Sequence, residues 1–181
     1  NFGRKYLLGS YYKTDEIIYG GDRLPISVDA VDYKILNSIA TDARKSSGII
    51  AKDTGLGAKT VLHRIKKLEN QEIILGFKPK LNLTLLEYSS MMMLINYHNV
   101  SRDLEDDLVK FLKFHPNVTG LTKTLGKWDI IIYFEARKNL DLRKIEMEVR
   151  EKFALLIKGV ELIPIYHEYV ENYFPEFIVE N

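Results

Sequence analysis

The stretch SGIIAKDTGLGAKTVLHRIKK, residues 47–67, constrains what this chain can fold into more than any other. Gly55-Leu56-Gly57 divides it into two short helical segments around a tight turn. Ile49, Ile50 and Ala51 mark the first. In the second, Val61, Leu62, Ile65 and Leu68 recur at helical spacing and predict one buried face. Lys59, Thr60, His63, Arg64 and Lys67 are left on the other, where amine and guanidinium donors could reach phosphates or the O6 and N7 acceptors of guanine in a major groove. The pattern alone also fits an ordinary helical domain with a solvated charged face, so the flanks have to decide. Upstream, Val28, Val31, Ile35, Leu36 and Ile39 outline another helix, with Asp29 as its N-cap and Arg44 and Lys45 after it. Downstream, EIILGFKPKLN alternates around Gly76, which predicts a two-stranded ribbon carrying Lys78 and Lys80. Three helices and a ribbon make a winged helix-turn-helix over residues 28–82. Its candidate DNA contacts are Arg44, Lys45, Ser47, Lys59, Thr60, His63, Arg64, Lys67 and Lys78.

Charge separates this head from the rest. Residues 28–82 hold ten Lys or Arg against six Asp or Glu, a net of +4, whereas residues 83–181 hold twelve against sixteen, a net of −4. A near-neutral total of +1 therefore hides a basic head on an acidic body. Affinity for a polyanion should reside in the head, as a salt-dependent term that steers and holds without reading sequence.

At 181 residues and 46% hydrophobic content the chain is long and apolar enough for packed cores. No run approaches the roughly eighteen apolar residues of a membrane span, and the N-terminus does not read as a signal peptide, so the expectation is a soluble protein of the cytoplasm. With no cysteine at all, disulfides, thiol nucleophiles and thiolate metal sites are excluded together.

From about Tyr88 the body reads as two similar halves. SSMMMLINYH predicts a strand, DLEDDLVKFLKFH an amphipathic helix with Leu104, Leu108, Phe111 and Leu112 on one face, and NVTGLTKTL a strand ending near Gly126. WDIIIYFEA is a further strand, LDLRKIEMEVREKFALL a helix with Leu142, Ile145, Val149 and Phe153 inward, and GVELIPIYHEYV closes the series. The order βαββαβ predicts an antiparallel sheet with both helices on one face, a ferredoxin-like α+β plan over residues 83–181. Met91, Met93, Ile95, Ile130, Ile132 and Phe134 look like more than one face can hide, which predicts that the open face pairs with a second subunit.

Both halves together carry a family resemblance. The segment VDAVDYKILNSIATDARKSSGIIAKDTGLGAKTVLHRIKKLENQEIILGFKPKLN resembles the DNA-binding half of the Lrp/AsnC, or feast/famine, transcription regulators, and GLTKTLGKWDIIIYFEA resembles the glycine and aspartate signature of their effector-sensing (RAM) half. The resemblance spans residues 28 to about 170, in the family's order and spacing. It implies a homodimer, often assembled into octamers, that binds double-stranded operators and is tuned by an amino acid or a related metabolite. It places the effector at a turn formed by Gly126, Lys127, Trp128 and Asp129, between subunits. A carboxylate there suits the ammonium group of an amino acid; taken alone, the same four residues are a hairpin turn. The sequence departs from the family pattern at Gly57, where a serine usually caps the recognition helix, at Gln71-Glu72, where a glycine precedes the wing, and at Trp128 before the aspartate.

Catalytic readings find little support. His63, His98, His115 and His167 lack metal-ligand spacing, and there is no nucleophile elbow, phosphate loop or dinucleotide fingerprint. No metal or other cofactor is expected, and the chain is read as a regulator and not an enzyme. One enzyme alternative shares the two-domain plan, the sirohaem decarboxylases, where His98, or His167 beside Tyr166, would face a tetrapyrrole. A ligand-sensing module with weak DNA binding is the other alternative. Residues 1–27 lie outside the resemblance; YLLGSYY and EIIY suggest a hairpin packed on the head, or the tail of a preceding domain.

Overall fold

The computed structural model describes residues 18, 20–98, 101–137, 139–169 and 174, so the hairpin expected from YLLGSYY and EIIY, residues 6–19, lies outside the described residues except for Ile18. Two compact units emerge, residues 20–80 and 81–168, each with its own core.

The first unit is helical. Helix α1, Ala30–Thr41, starts as foreseen at Asp29, whose carboxylate accepts from the Asp32 amide. Helix α2, Ser47–Thr54, is capped by Ser46, whose side chain accepts from the Ile49 amide, and ends at Gly55 in the left-handed conformation, φ +71°. That glycine makes the turn possible, because a side chain there would strain the backbone. Helix α3, Ala58–Asn70, follows two residues later, with Gly57 as an N-cap that offers no side-chain acceptor. Ile35, Ile50, Ala51 and Val61 form the small core, with Val31, Ile39, Leu56 and Ile65 packed against it.

Two expectations fail in this unit. Leu62, assigned to the buried face of α3, is 56% exposed. The ribbon is absent too: residues 75–82 form no ladder. Pro79 has no N–H to contribute, and Gly76 sits at φ +143°, off the extended region a strand needs. Just before it, Glu72 takes φ +57°, the left-handed conformation for which a glycine would be the natural choice.

The second unit follows the predicted βαββαβ order. After a 3-10 turn at Leu83–Leu86 come β1 (Ser89–Tyr97), α4 (Arg102–Phe114), β2 (Val118–Lys123), β3 (Ile130–Ala136), α5 (Asn139–Lys152) and β4 (Ile157–Ile165). The sheet order is β2-β3-β1-β4 with every neighbour antiparallel. Asp103 and Glu105 in the first turn of α4 and Lys113 in its last turn match the helix dipole. Leu108 and Leu112 of α4, Leu142, Ile145 and Val149 of α5, and Phe153 in the turn just after α5 are buried against the strands, as periodicity foretold.

The argument for an overfull sheet does not survive. Met91 lies opposite Phe134, Met93 opposite Ile132 and Ile95 opposite Ile130, so all six residues share one face, and that face joins the core beneath the helices. Side chains alternate along a strand, and equal parity places them together. The opposite face carries Met92, Leu94, Ile131, Tyr133 and Ile163.

Candidate nucleic-acid interface and effector turn

Helix α3 owes its rotation to an ionic lattice. Asp32 on α1 is buried, with 1% of its side chain exposed, and its Oδ1 accepts from Arg64 Nη1 at 2.7 Å. The same guanidinium nitrogen donates to Asp29 Oδ2 at 2.6 Å, and Lys67 Nζ lies 3.6 Å from Asp32 Oδ2. A buried carboxylate is tolerated only when paired, so Asp32 draws these two cations toward α1. The hydrogen bond from Arg64 holds the Asp29 carboxyl below its ordinary value, while Asp29 first and Asp32 second raise the guanidinium further.

The sequence-predicted contacts therefore divide. Arg64 and Lys67 pair with α1. Lys45 pairs with Asp53 at 3.1 Å and donates to Ser38 at 3.2 Å, an arrangement that lowers the Asp53 carboxyl. Ser47 is the first residue of α2 and half-buried, the capping role going to Ser46. Arg44 is exposed in the turn between α1 and α2, and Lys78 is exposed in the extended stretch after α3. Lys59, Thr60 and His63 are exposed on α3, and so are Lys66 and Leu62, which sequence reasoning had not placed there. At 100° per residue, Lys59, Leu62, His63 and Lys66 occupy one side of the helix, away from Val61 and Leu68. None of these four has an ion-pair or hydrogen-bond partner among the described side chains.

In the sheet unit, residues 124–129 form the turn between β2 and β3. Gly126 takes φ +146°, and a Cβ added there would meet nothing within 4 Å, so backbone conformation and not crowding calls for glycine. Asp129 stitches the turn to the end of β1: its amide donates to Ile95 O at 2.9 Å, and its Oδ2 accepts from the Tyr97 amide at 2.7 Å and from Asn96 Nδ2 at 3.4 Å. Asn96 Nδ2 also donates to Lys127 O at 2.8 Å, and Thr124 Oγ1 to Trp128 O at 2.6 Å. One oxygen of Asp129 thus serves the frame, while Oδ1 has no hydrogen-bond partner among the described residues. Lys127 is exposed, with its ammonium 4.7 Å from the centre of the half-buried Trp128 ring, a cation–π contact. Below the turn, Tyr97 is buried with its hydroxyl unpartnered; burial first, then the charges of Glu105 and Asp129, push its phenol well above the ordinary value of 10.

Comparison with known proteins settles the family. Residues 28–74 match the winged helix-turn-helix DNA-binding family. An HTH-type transcriptional regulator of Pyrococcus horikoshii is 30% identical over 136 residues, 75% of this chain and 87% of that relative. The chain belongs to the Lrp/AsnC family of transcription regulators. The fold agrees: AsnC of E. coli superposes with a TM-score of 0.70 at 20% identity, covering 83% of this regulator and all of that chain. A transcriptional regulator of Neisseria meningitidis, solved in complex with L-Met, gives a TM-score of 0.73 at 14% identity over 83% of this chain and 97% of its own. This chain is accordingly a DNA-binding transcription regulator, and the helix-turn-helix is the matched part. Among the described residues no helix is long and apolar enough to cross a membrane, and no group of three or more His, Cys, Asp or Glu side chains could hold a metal ion.

Proposed function

We propose that this regulator binds a pseudo-palindromic operator as a homodimer or a larger assembly such as an octamer, and that an amino acid or a similar small metabolite modulates it at the turn around Asp129. The helical unit serves DNA; the sheet unit serves effector binding and assembly. The observation carrying this reading is the division of charge on α3: Arg64 and Lys67 turn inward to Asp32, leaving Lys59, His63 and Lys66 free to meet phosphates and base edges. The effector half rests on Asp129, whose Oδ1 is available to an ammonium group while its Oδ2 keeps the turn in shape. The L-Met bound to the Neisseria neighbour supports an amino acid as the ligand class. We place the pairing of subunits on the sheet face of Met92, Leu94, Ile131, Tyr133 and Ile163. Acting on DNA, the regulator would work in the cytoplasm and without catalysis.

An effector acts only by binding one assembly or conformation more tightly than another. The test is a binding titration of purified protein against DNA from upstream of its own gene and random DNA of equal length, across salt, with and without a panel of amino acids. Specific retention altered by one amino acid is the expected result. Salt-sensitive binding equal on both DNAs would reduce the head to a non-specific basic surface. No binding, together with ligand uptake by the sheet unit, would favour a sensing module, and visible absorbance from a bound tetrapyrrole would favour the enzyme related to sirohaem decarboxylases.

A further inference from the structure

On α3 an apolar side chain stands among two lysines and a histidine. Leu62 is 56% exposed, and Lys59, His63 and Lys66 at positions −3, +1 and +4 from it are exposed as well. A single exposed leucine is ordinary on a protein surface and by itself signifies nothing. Its place here is what distinguishes it. The pull of Asp32 on Arg64 and Lys67 fixes which side of α3 turns outward, and Val61 and Leu68 already fill the inward side. Leu62 is also the fifth residue of the helix, in the N-terminal half from which a recognition helix contacts base edges.

Neighbouring ammonium groups select the polyanion that this strip meets, and a leucine among them has one complementary feature in a major groove. That feature is the C5 methyl of thymine, the only apolar group the base pairs display there. Lys59 and Lys66 would hold the helix against phosphates, and their charge carries no sequence information. We infer that Leu62 reads a thymine methyl group, and so sets an A·T preference at one position of each half-site. This inference rests on the reading of α3 as the helix that enters the groove.

The experiment selects binders from a random duplex library with the intact chain and with Leu62→Ala, then measures affinity for the enriched duplex with that thymine replaced by deoxyuridine. The intact chain should enrich thymine at one position per half-site, and deoxyuridine there should weaken it about fourfold per half-site, the equivalent of one buried methyl group. Leu62→Ala should lose the preference at that position alone, keep the rest of the motif and its salt dependence, and be indifferent to deoxyuridine; Leu62→Met should behave like the intact chain. An enriched motif that Leu62→Ala leaves unchanged, or a deoxyuridine substitution without effect, overturns this inference and leaves the regulator reading intact. Enrichment of no motif by the intact chain overturns both.

Discussion

The two units are held together by different physics. The sheet unit buries a continuous apolar core from Met93, Ile95, Ile132 and Phe134 on the strands to Leu108, Leu112, Val149 and Phe153 beneath them. The helical unit has a far smaller core, centred on Ile35, Ile50, Ala51 and Val61, and holds α3 with a buried carboxylate. Burial is non-directional and forgives small shifts; an ion pair in a low-dielectric site has one geometry that satisfies it. A helix that has to hold chosen side chains in one orientation gains more from the second device than from the first.

The sharpest way to break this contrast is to damage one unit and watch the other. Phe134→Ala should cost the sheet unit about 3–5 kcal/mol, as truncation of a fully buried aromatic does. Amide exchange of the strand peptides would accelerate while that of α1 to α3 stayed slow. Asp32→Ala should do the reverse, costing the helical unit about 3 kcal/mol, near the low end for breaking a buried pair because Arg64 is itself 26% exposed. If Asp32→Ala proved neutral in exchange measurements, the lattice would be decoration.

Smaller effects sharpen the comparison within the head. Glu72→Gly should stabilise it by about 1 kcal/mol in thermal melting, because relief of the left-handed backbone outweighs the loss of the exposed pair with Arg23. Lys66→Ala should leave melting unchanged and lower the slope of log affinity against log salt by about one, whereas Arg64→Ala should lower stability first. Acid gives the smallest effect and a definite sign. Asp29 and Asp53 lie below their ordinary value of 3.8 in the folded chain, so their contribution is complete above that value and fades as pH falls below it through the lowered ones. Exchange from the helical unit should therefore rise in acid before exchange from the strands.

Much of this was legible in the sequence, and the misreadings have physical causes. The helices of the sheet unit announced themselves through spacing, since Leu142, Ile145 and Val149 recur at one period and serve one purpose. Asp29 and Gly55 were readable as helix punctuation, because cap chemistry is local. Leu62 was not: periodicity marks an apolar arc, but the rotation of α3 depends on a pair between Arg64 and Asp32, 32 residues apart, for which no local signal exists. Alternation alone suggests the ribbon, but Pro79 has no N–H to give a ladder and overrides it. Met91, Met93 and Ile95 have equal parity, which places them on one face of β1 from sequence alone. At the turn between β2 and β3, Gly126 and Asp129 stood out, whereas the partnership of Asp129 with Asn96 joins residues that only the sheet brings together.

That partnership has a consequence for a genetic screen of regulatory alleles. The bonds of Asp129 with Asn96 and Tyr97, and of Asn96 with the Lys127 carbonyl, close a ring, so substitutions at Asn96 should fall in the same phenotypic class as those at Asp129 although only one of the two would touch a ligand. Alleles at Trp128, whose side chain stands outside that ring, would form the class that alters ligand preference and spares the frame.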